Sequence, residues 1–162
     1  MQYDAIILRY GELFLKGKNR QRFIDRLFQT VRNKLKPFPG LGLELTRDHI
    51  LVMLNGADEC AVLKQLDFVF GLQSYALGTL CDSTLESICE TALPVSVAAC
   101  ALGQSIKFET KRGWKKFPHE SISVSQQVAR YVGDHAAEGA VSFNVAKPDL
   151  AVRILIKEKY TL

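Results

Sequence analysis

The amino-acid sequence predicts an α+β protein made of two successive units, and three observations carry that prediction. Short β-branched or alternating segments are interleaved with segments whose apolar residues recur at helical spacing. Residues 1–80 hold four strand-like and two helix-like segments in the order β-α-β-β-α-β. A second unit, residues 81–162, opens with its own helix-start signal. The 162 residues are 48% hydrophobic and 23% charged, which is globular composition and excludes disordered, collagenous and low-complexity chains.

In the first unit, residues 3–10 (YDAIILRY) read as a buried strand. Asn19 reads as the cap of a helix over Arg20–Lys36, where Phe23, Leu27 and Val31 with Ile24, Phe28 and Leu35 form one apolar face. Pro37 and Pro39-Gly40 stop it. Residues 41–46 and 50–54 read as a hairpin turning at Arg47-Asp48-His49. Residues 57–67 read as a second helix and residues 73–78 as a fourth strand. That order is the ferredoxin-like split βαβ pattern.

In the second unit, Ser83-x-x-Glu86 suggests a capping box opening a helix to about Ala101. Pro94 within it predicts a kink or two shorter helices. Residues 104–111 alternate Ile106, Phe108 and Thr110 against Lys107, Glu109 and Lys111, a half-buried strand. Residues 112–120 form a loop, and Ser121 or Ser123 caps a helix to about Glu138, stopped by Gly139. Residues 141–145, 150–157 and 160–162 read as strands.

The longest apolar run, residues 92–102, is too short to span a bilayer, so no membrane association is expected. The N-terminus lacks the basic and apolar regions of a signal peptide. The four cysteines form no CxxC pair. Together these point to reduced thiols and a cytoplasmic protein.

The net charge is +4, but it is unevenly distributed. From Arg9 to Lys36 there are nine Lys/Arg against two acids, and from Gln104 to Pro118 five against Glu109 alone. The remainder of the chain is therefore acidic. Two basic islands on an acidic body suit a polyanion, because phosphate neutralisation supplies affinity; they equally suit two solvated faces. A shared site requires the fold to bring the islands together.

The loop from Gly11 to Asn19 resembles a phosphate loop in outline, but five residues separate its glycines and Asn19 stands where Ser or Thr would bind magnesium. What survives is a helix start flanked by Lys16 and Lys18, a natural place for one phosphate. Arg20, Arg22 and Arg26 follow, the last two spaced i, i+4, a like-charge pair that costs an isolated helix about 0.2–0.5 kcal/mol. The second island is Lys111-Arg112-Gly113-Trp114-Lys115-Lys116-Phe117-Pro118. Aromatics among cations suit single-stranded RNA, with bases stacked on a ring and phosphates held by cations. Gly113 would admit a close backbone approach. Trp114 could instead pin the loop to the core, and Phe117 reads chiefly as such a pin.

No metal site, cofactor site, catalytic residue or general acid–base pair emerges. His49, His119 and His135 are scattered, and Cys89 and Cys100 read as small core residues. Asp149 after Pro148 reads as a turn residue.

The segments Arg9-Tyr10-Gly11-Glu12, Leu15-Lys16-Gly17-Lys18-Asn19-Arg20 and Phe23 resemble the opening of bacterial tRNA 4-thiouridine synthases, sulfurtransferases also tied to thiamine biosynthesis. Asp67-x-Val69-Phe70-Gly71 is similar to that family's junction into its next domain. Lys111-Arg112, Lys115-Lys116-Phe117-Pro118, Ser121, Val132-Gly133 and Asn144-x-x-x-Pro148-Asp149 resemble a THUMP domain. The resemblance implies a ferredoxin-like domain followed by an α/β THUMP domain, together binding tRNA and gripping its single-stranded 3′ acceptor end.

In that family a further ATP-pyrophosphatase domain, with a Ser-Gly-Gly-x-Asp-Ser loop and the catalytic cysteines, acts on uridine 8. This sequence contains no such loop and stops at Leu162, so no activity is expected of the chain alone. The RNA-binding candidates are Lys16, Lys18, Arg20, Arg22, Arg26, Lys111, Arg112, Gly113, Trp114, Lys115 and Lys116. Two other readings stand beside this one: a small phosphate- or nucleotide-binding enzyme using loop 11–19, and an adaptor for a separately encoded ATP-pyrophosphatase subunit.

Overall fold

A computed structural model describes residues 3–11 and 19–162. The chain divides into two compact units, the first ending at Gly78 and the second running Thr79–Leu162.

The first unit runs β1 (Ala5–Tyr10), α1 (Asn19–Lys34), β2 (Gly42–Leu45), β3 (His49–Met53), α2 (Glu59–Leu66) and β4 (Leu72–Gly78). Its antiparallel sheet has the order β2-β3-β1-β4, which is the split βαβ topology expected from the sequence. The helices cover one face. Ile24, Leu27 and Val31 of α1 and Val62 and Leu66 of α2 pack on Ile6, Leu8, Ile50 and Val52 of the sheet. Asp58 starts α2, its carboxylate accepting from the N–H groups of Cys60 and Ala61 at 2.8 and 3.4 Å. Gly71 re-aims the chain into β4 with φ +102°, and a Cβ there would lie 2.8 Å from the Phe23 ring.

The second unit runs α3 (Leu85–Cys100), β5 (Ser105–Arg112), α4 (Ser121–His135), β6 (Ser142–Phe143) and β7 (Leu150–Ile156). Its three strands are all parallel, in the order β6-β5-β7. The two helices pack together on one face, burying Ile88, Cys89 and Ala92 of α3 and Val124, Val128 and Val132 of α4 against Ile154, Ile156 and Phe117. Cys81 and Thr161, at the start and end of the unit, exchange backbone hydrogen bonds of 2.9 and 2.8 Å.

Several local expectations change. Asn19 is the first residue of α1 rather than its cap. The cap of α3 is Thr84, whose hydroxyl accepts from Ser87 N–H at 3.3 Å; Ser83 is diverted to the Lys157 carbonyl at 2.7 Å. Pro94 sits inside one continuous α3, not at a break between two helices. Neither Ser121 nor Ser123 caps α4: its N-cap is Glu120, which makes no side-chain cap bond, and the Ser123 hydroxyl accepts from Gln127 instead.

The later strands also shorten. Helix α4 ends at His135, not Glu138. Strand β6 is cut to two residues because Asn144 folds back to accept from Lys147 N–H at 3.0 Å. Residues 160–162 make isolated bridges, not a strand. Asp149 closes the 144–149 turn, accepting from the Ser105 N–H at 2.7 Å and hydroxyl at 2.6 Å.

Candidate nucleic-acid interface

Helix α1 presents its basic residues in two directions, because its apolar stripe divides them. Arg22 and Arg26 are exposed on the side away from Ile24, Leu27 and Val31. Arg20 is half-buried beside Tyr10. The Tyr10 hydroxyl donates to the Thr46 carbonyl at 2.9 Å. Burial pushes its pKa up and the Arg20 charge pulls it back. The anchored turn also carries Arg47, an exposed cation the sequence reading left out because a lone arginine in a turn carries no pattern. Lys16 and Lys18, and most of loop 11–19, lie outside the described residues.

The second basic segment lies where β5 and β7 end, at the carboxyl edge of a parallel sheet, the side on which open α/β sheets place their ligands. Its four cations do different work. The Arg112 guanidinium donates to the carbonyls of Phe117 (3.3 Å) and His119 (3.0 Å), stapling the loop to the end of β5. Lys115 and Lys116 are exposed at the loop's outside, and Lys111 is exposed at the end of β5. Phe117 is buried in the core, as its sequence context suggested.

Trp114 also packs against that core, with its ring centroid 6.1 Å from that of Phe117, so only part of its surface is open to a base. Gly113 serves a close approach within the protein: its N–H and that of Trp114 donate to the Ile156 carbonyl at 2.9 and 3.1 Å, and a Cβ there would stand 3.2 Å from the same oxygen.

Behind the loop, Glu109 is held between Lys107 Nζ at 2.7 Å and Arg153 Nε at 3.0 Å. Its hydrogen bond with Lys107, then that with Arg153, keeps its carboxyl below the ordinary range. The only acid of this basic segment is thus already compensated by neighbouring cations. Among the described residues no cluster of His, Cys, Asp or Glu could hold a metal ion, and no helix is long and apolar enough to cross a membrane.

Residues 5–76 match the ThiI ferredoxin-like domain, which is nearly the whole first unit. The class is therefore a ferredoxin-like domain followed by an α/β unit of three parallel strands and two helices. The particular relatives are proteins named probable tRNA sulfurtransferase. The chain is 39% identical over 161 residues to that of Bacillus pumilus (strain SAFR-032), covering 99% of this chain and 40% of the relative. It is 38% identical to that of Bacillus subtilis (strain 168), with the same coverage.

The chain thus spans about two fifths of the curated relatives it matches, and the likeness to them runs through both of its units. Two solved structures share the fold at low identity. A 4-thiouridine synthetase in complex with RNA and ATP superposes with TM-score 0.74 at 18% identity, over 99% of this chain and 40% of that one. A Pyrococcus horikoshii Ot3 protein gives 0.77 at 21%, over 98% and 52%.

Proposed function

We propose that this chain is a tRNA-binding module. It recognises tRNA and its single-stranded 3′ acceptor end, positioning the tRNA for 4-thiouridine formation at uridine 8 by an ATP-pyrophosphatase domain outside this sequence. The observation that carries the reading is the stapled loop of the second unit. Arg112 fixes its shape from inside, while Lys115 and Lys116 stand exposed at the carboxyl edge of the parallel sheet, beside the start of α4.

Contacts to phosphates of a single strand need cations on a surface that does not have to reorganise, and this loop supplies them. Lys111 and the open part of Trp114 extend that surface. In the first unit Arg20, Arg22 and Arg26 form the second set of phosphate contacts, and Gly113 acts through the shape of the loop. The homology to tRNA sulfurtransferases and the fold shared with an RNA-bound 4-thiouridine synthetase support the choice of ligand.

The test is a fluorescence-anisotropy titration of tRNA at several salt concentrations. Replacing Lys115 and Lys116 together by alanine should lower the salt slope by about 1.4, two single-strand phosphates at about 0.7 each. Removing the terminal CCA should weaken binding by the wild type and matter less to the double variant. Equal affinity and equal slope for wild type and variant overturns the proposal.

A further inference from the structure

The second unit carries another pair of cations at its carboxyl edge, outside the basic segment Gln104–Pro118. After β7 the chain turns at Lys157-Glu158-Lys159-Tyr160 and runs back beside that strand. The turn is fixed from several sides. Lys157 N–H donates to the Tyr160 carbonyl at 3.0 Å, the Ser83 hydroxyl donates to the Lys157 carbonyl at 2.7 Å, and Thr161 exchanges backbone bonds with Cys81. The turn is also joined to the lysine loop. The carbonyl that receives the Gly113 and Trp114 N–H groups belongs to Ile156, the residue just before it. The Cα of Lys159 therefore lies within about 11 Å of the Cα of Ile156. The two lysines do different work. Lys157 Nζ donates to the Tyr160 hydroxyl at 2.9 Å and lies 5.2 Å from the ring centroid, so it holds the half-buried ring by its hydroxyl end. Lys159 is exposed, as is Glu158, the only acid of the turn. Side chains alternate along a strand, and Ile154 and Ile156 belong to the helix-side core. Leu155 and Lys157 therefore face the other way, with Tyr160 against Lys157 and Lys111 opposite Leu155.

Resting on the tRNA-binding function above, we propose that the 157–160 turn is a second wall of the acceptor-strand site: the Tyr160 ring takes an unpaired base and Lys159 a neighbouring phosphate. Single-strand sites combine rings that stack on bases with cations that track the backbone. The 111–116 loop supplies the cations, but its Trp114 ring is partly engaged by the core. The turn supplies a ring on the face away from that core. Lys157 plays here the part that Arg112 plays in the loop, a cation committed to shape that leaves its neighbour to the ligand. Because the turn is already bonded at Ile156, Ser83 and Cys81, the ring and the lysine need no reorganisation to meet the strand. An acidic peptide would satisfy the lysines and leave the ring without a partner.

Fluorescence anisotropy of this chain with tRNA and with a labelled single-stranded RNA ending in CCA tests it. Tyr160→Leu should weaken binding at least about fivefold, the loss of one base–ring stack, and leave the salt slope unchanged. Tyr160→Phe keeps the ring and gives up the hydroxyl, and should bind within about twofold of the wild type, since stacking needs only the ring. Lys159→Ala should lower the salt slope by about 0.7, one single-strand phosphate. Lys159 is exposed and its side chain makes none of the turn's bonds, so this variant folds and stays decisive even where Tyr160→Leu disturbs the turn. Tyr160→Leu binding as tightly as Tyr160→Phe, or an unchanged slope in Lys159→Ala, overturns the proposal. Should that happen while the Lys115 and Lys116 double variant still weakens binding, only the second wall falls; a double variant that binds unchanged removes the tRNA-binding function with it.

Discussion

The two units hold themselves together differently, and the difference sorts their cations. The first is closed chiefly by apolar packing, with a tight backbone approach of Gly71 to Phe23 and the Tyr10–Thr46 hydrogen bond at its edge. The cations Arg22 and Arg26 of its first helix take no part in that closure and stand in solvent. The second has a smaller core, under three short parallel strands, and is fastened by polar side chains. Arg112 holds its loop, Asp149 holds Ser105, and Glu109 joins Lys107 and Arg153. In the second unit a positive charge is therefore not automatically available to a partner. The lysines on the outside of the loop are available because the arginine inside it is occupied.

The strongest test of this contrast is Gly71→Ala. It places a side chain where φ is +102° and within 2.8 Å of the Phe23 ring, so both strain and overpacking apply, and a loss of about 2–4 kcal/mol is expected. Urea denaturation followed by circular dichroism measures it; a loss within about 0.5 kcal/mol would show that the approach is not tight.

Next comes the comparison of arginines. Arg112→Ala should cost about 1–3 kcal/mol, because two loop carbonyls lose charge-assisted hydrogen bonds. Arg22→Ala should stay within about 0.5 kcal/mol and can gain a little by relieving its like-charge neighbour Arg26. Equal losses at the two sites would erase the distinction between a fastening cation and an idle one.

The smallest expected effect is acid dependence at Asp149. Its carboxyl is held below the ordinary value by the Ser105 hydroxyl first and the Ser105 N–H second. The folded-state pKa is depressed, so the stabilisation is present above the unfolded-state value and is lost as pH falls through the folded one. The gap in urea midpoint between wild type and Asp149→Asn should therefore be wider near neutral pH than at about pH 3. A gap that does not change with pH would mean that this carboxylate fastens nothing.

The first unit was legible because its signals are local. The helical spacing of Ile24, Leu27 and Val31 and the hairpin of residues 41–46 and 50–54 both appear in the structure, and Pro37 lies just past the end of α1. What escaped depends on partners far along the chain. Ser83 and Thr84 are equally good caps by residue type; Ser83 loses the role to a carbonyl of Lys157, 74 residues away. Four cations in six positions from Lys111 to Lys116 look alike in sequence, and only the path of the loop shows that Arg112 is taken up by its carbonyls. The Phe68-Val69-Phe70 run reads as an apolar segment, while the structure buries only its middle residue. Periodicity cannot separate those three, because a turn, not a helix or strand, sets their directions.

One feature of the second unit bears on its mechanics. The reciprocal Cys81–Thr161 bonds join the residues that open and close it, and Ser83 reinforces them through its contacts with Lys157 and Thr161. Tension applied at the two ends would reach this clasp before the β5–β7 ladder and would unfasten its bonds one after another. The unit should therefore open from its latch under load, while the stapled lysine loop keeps its shape until the sheet itself gives way.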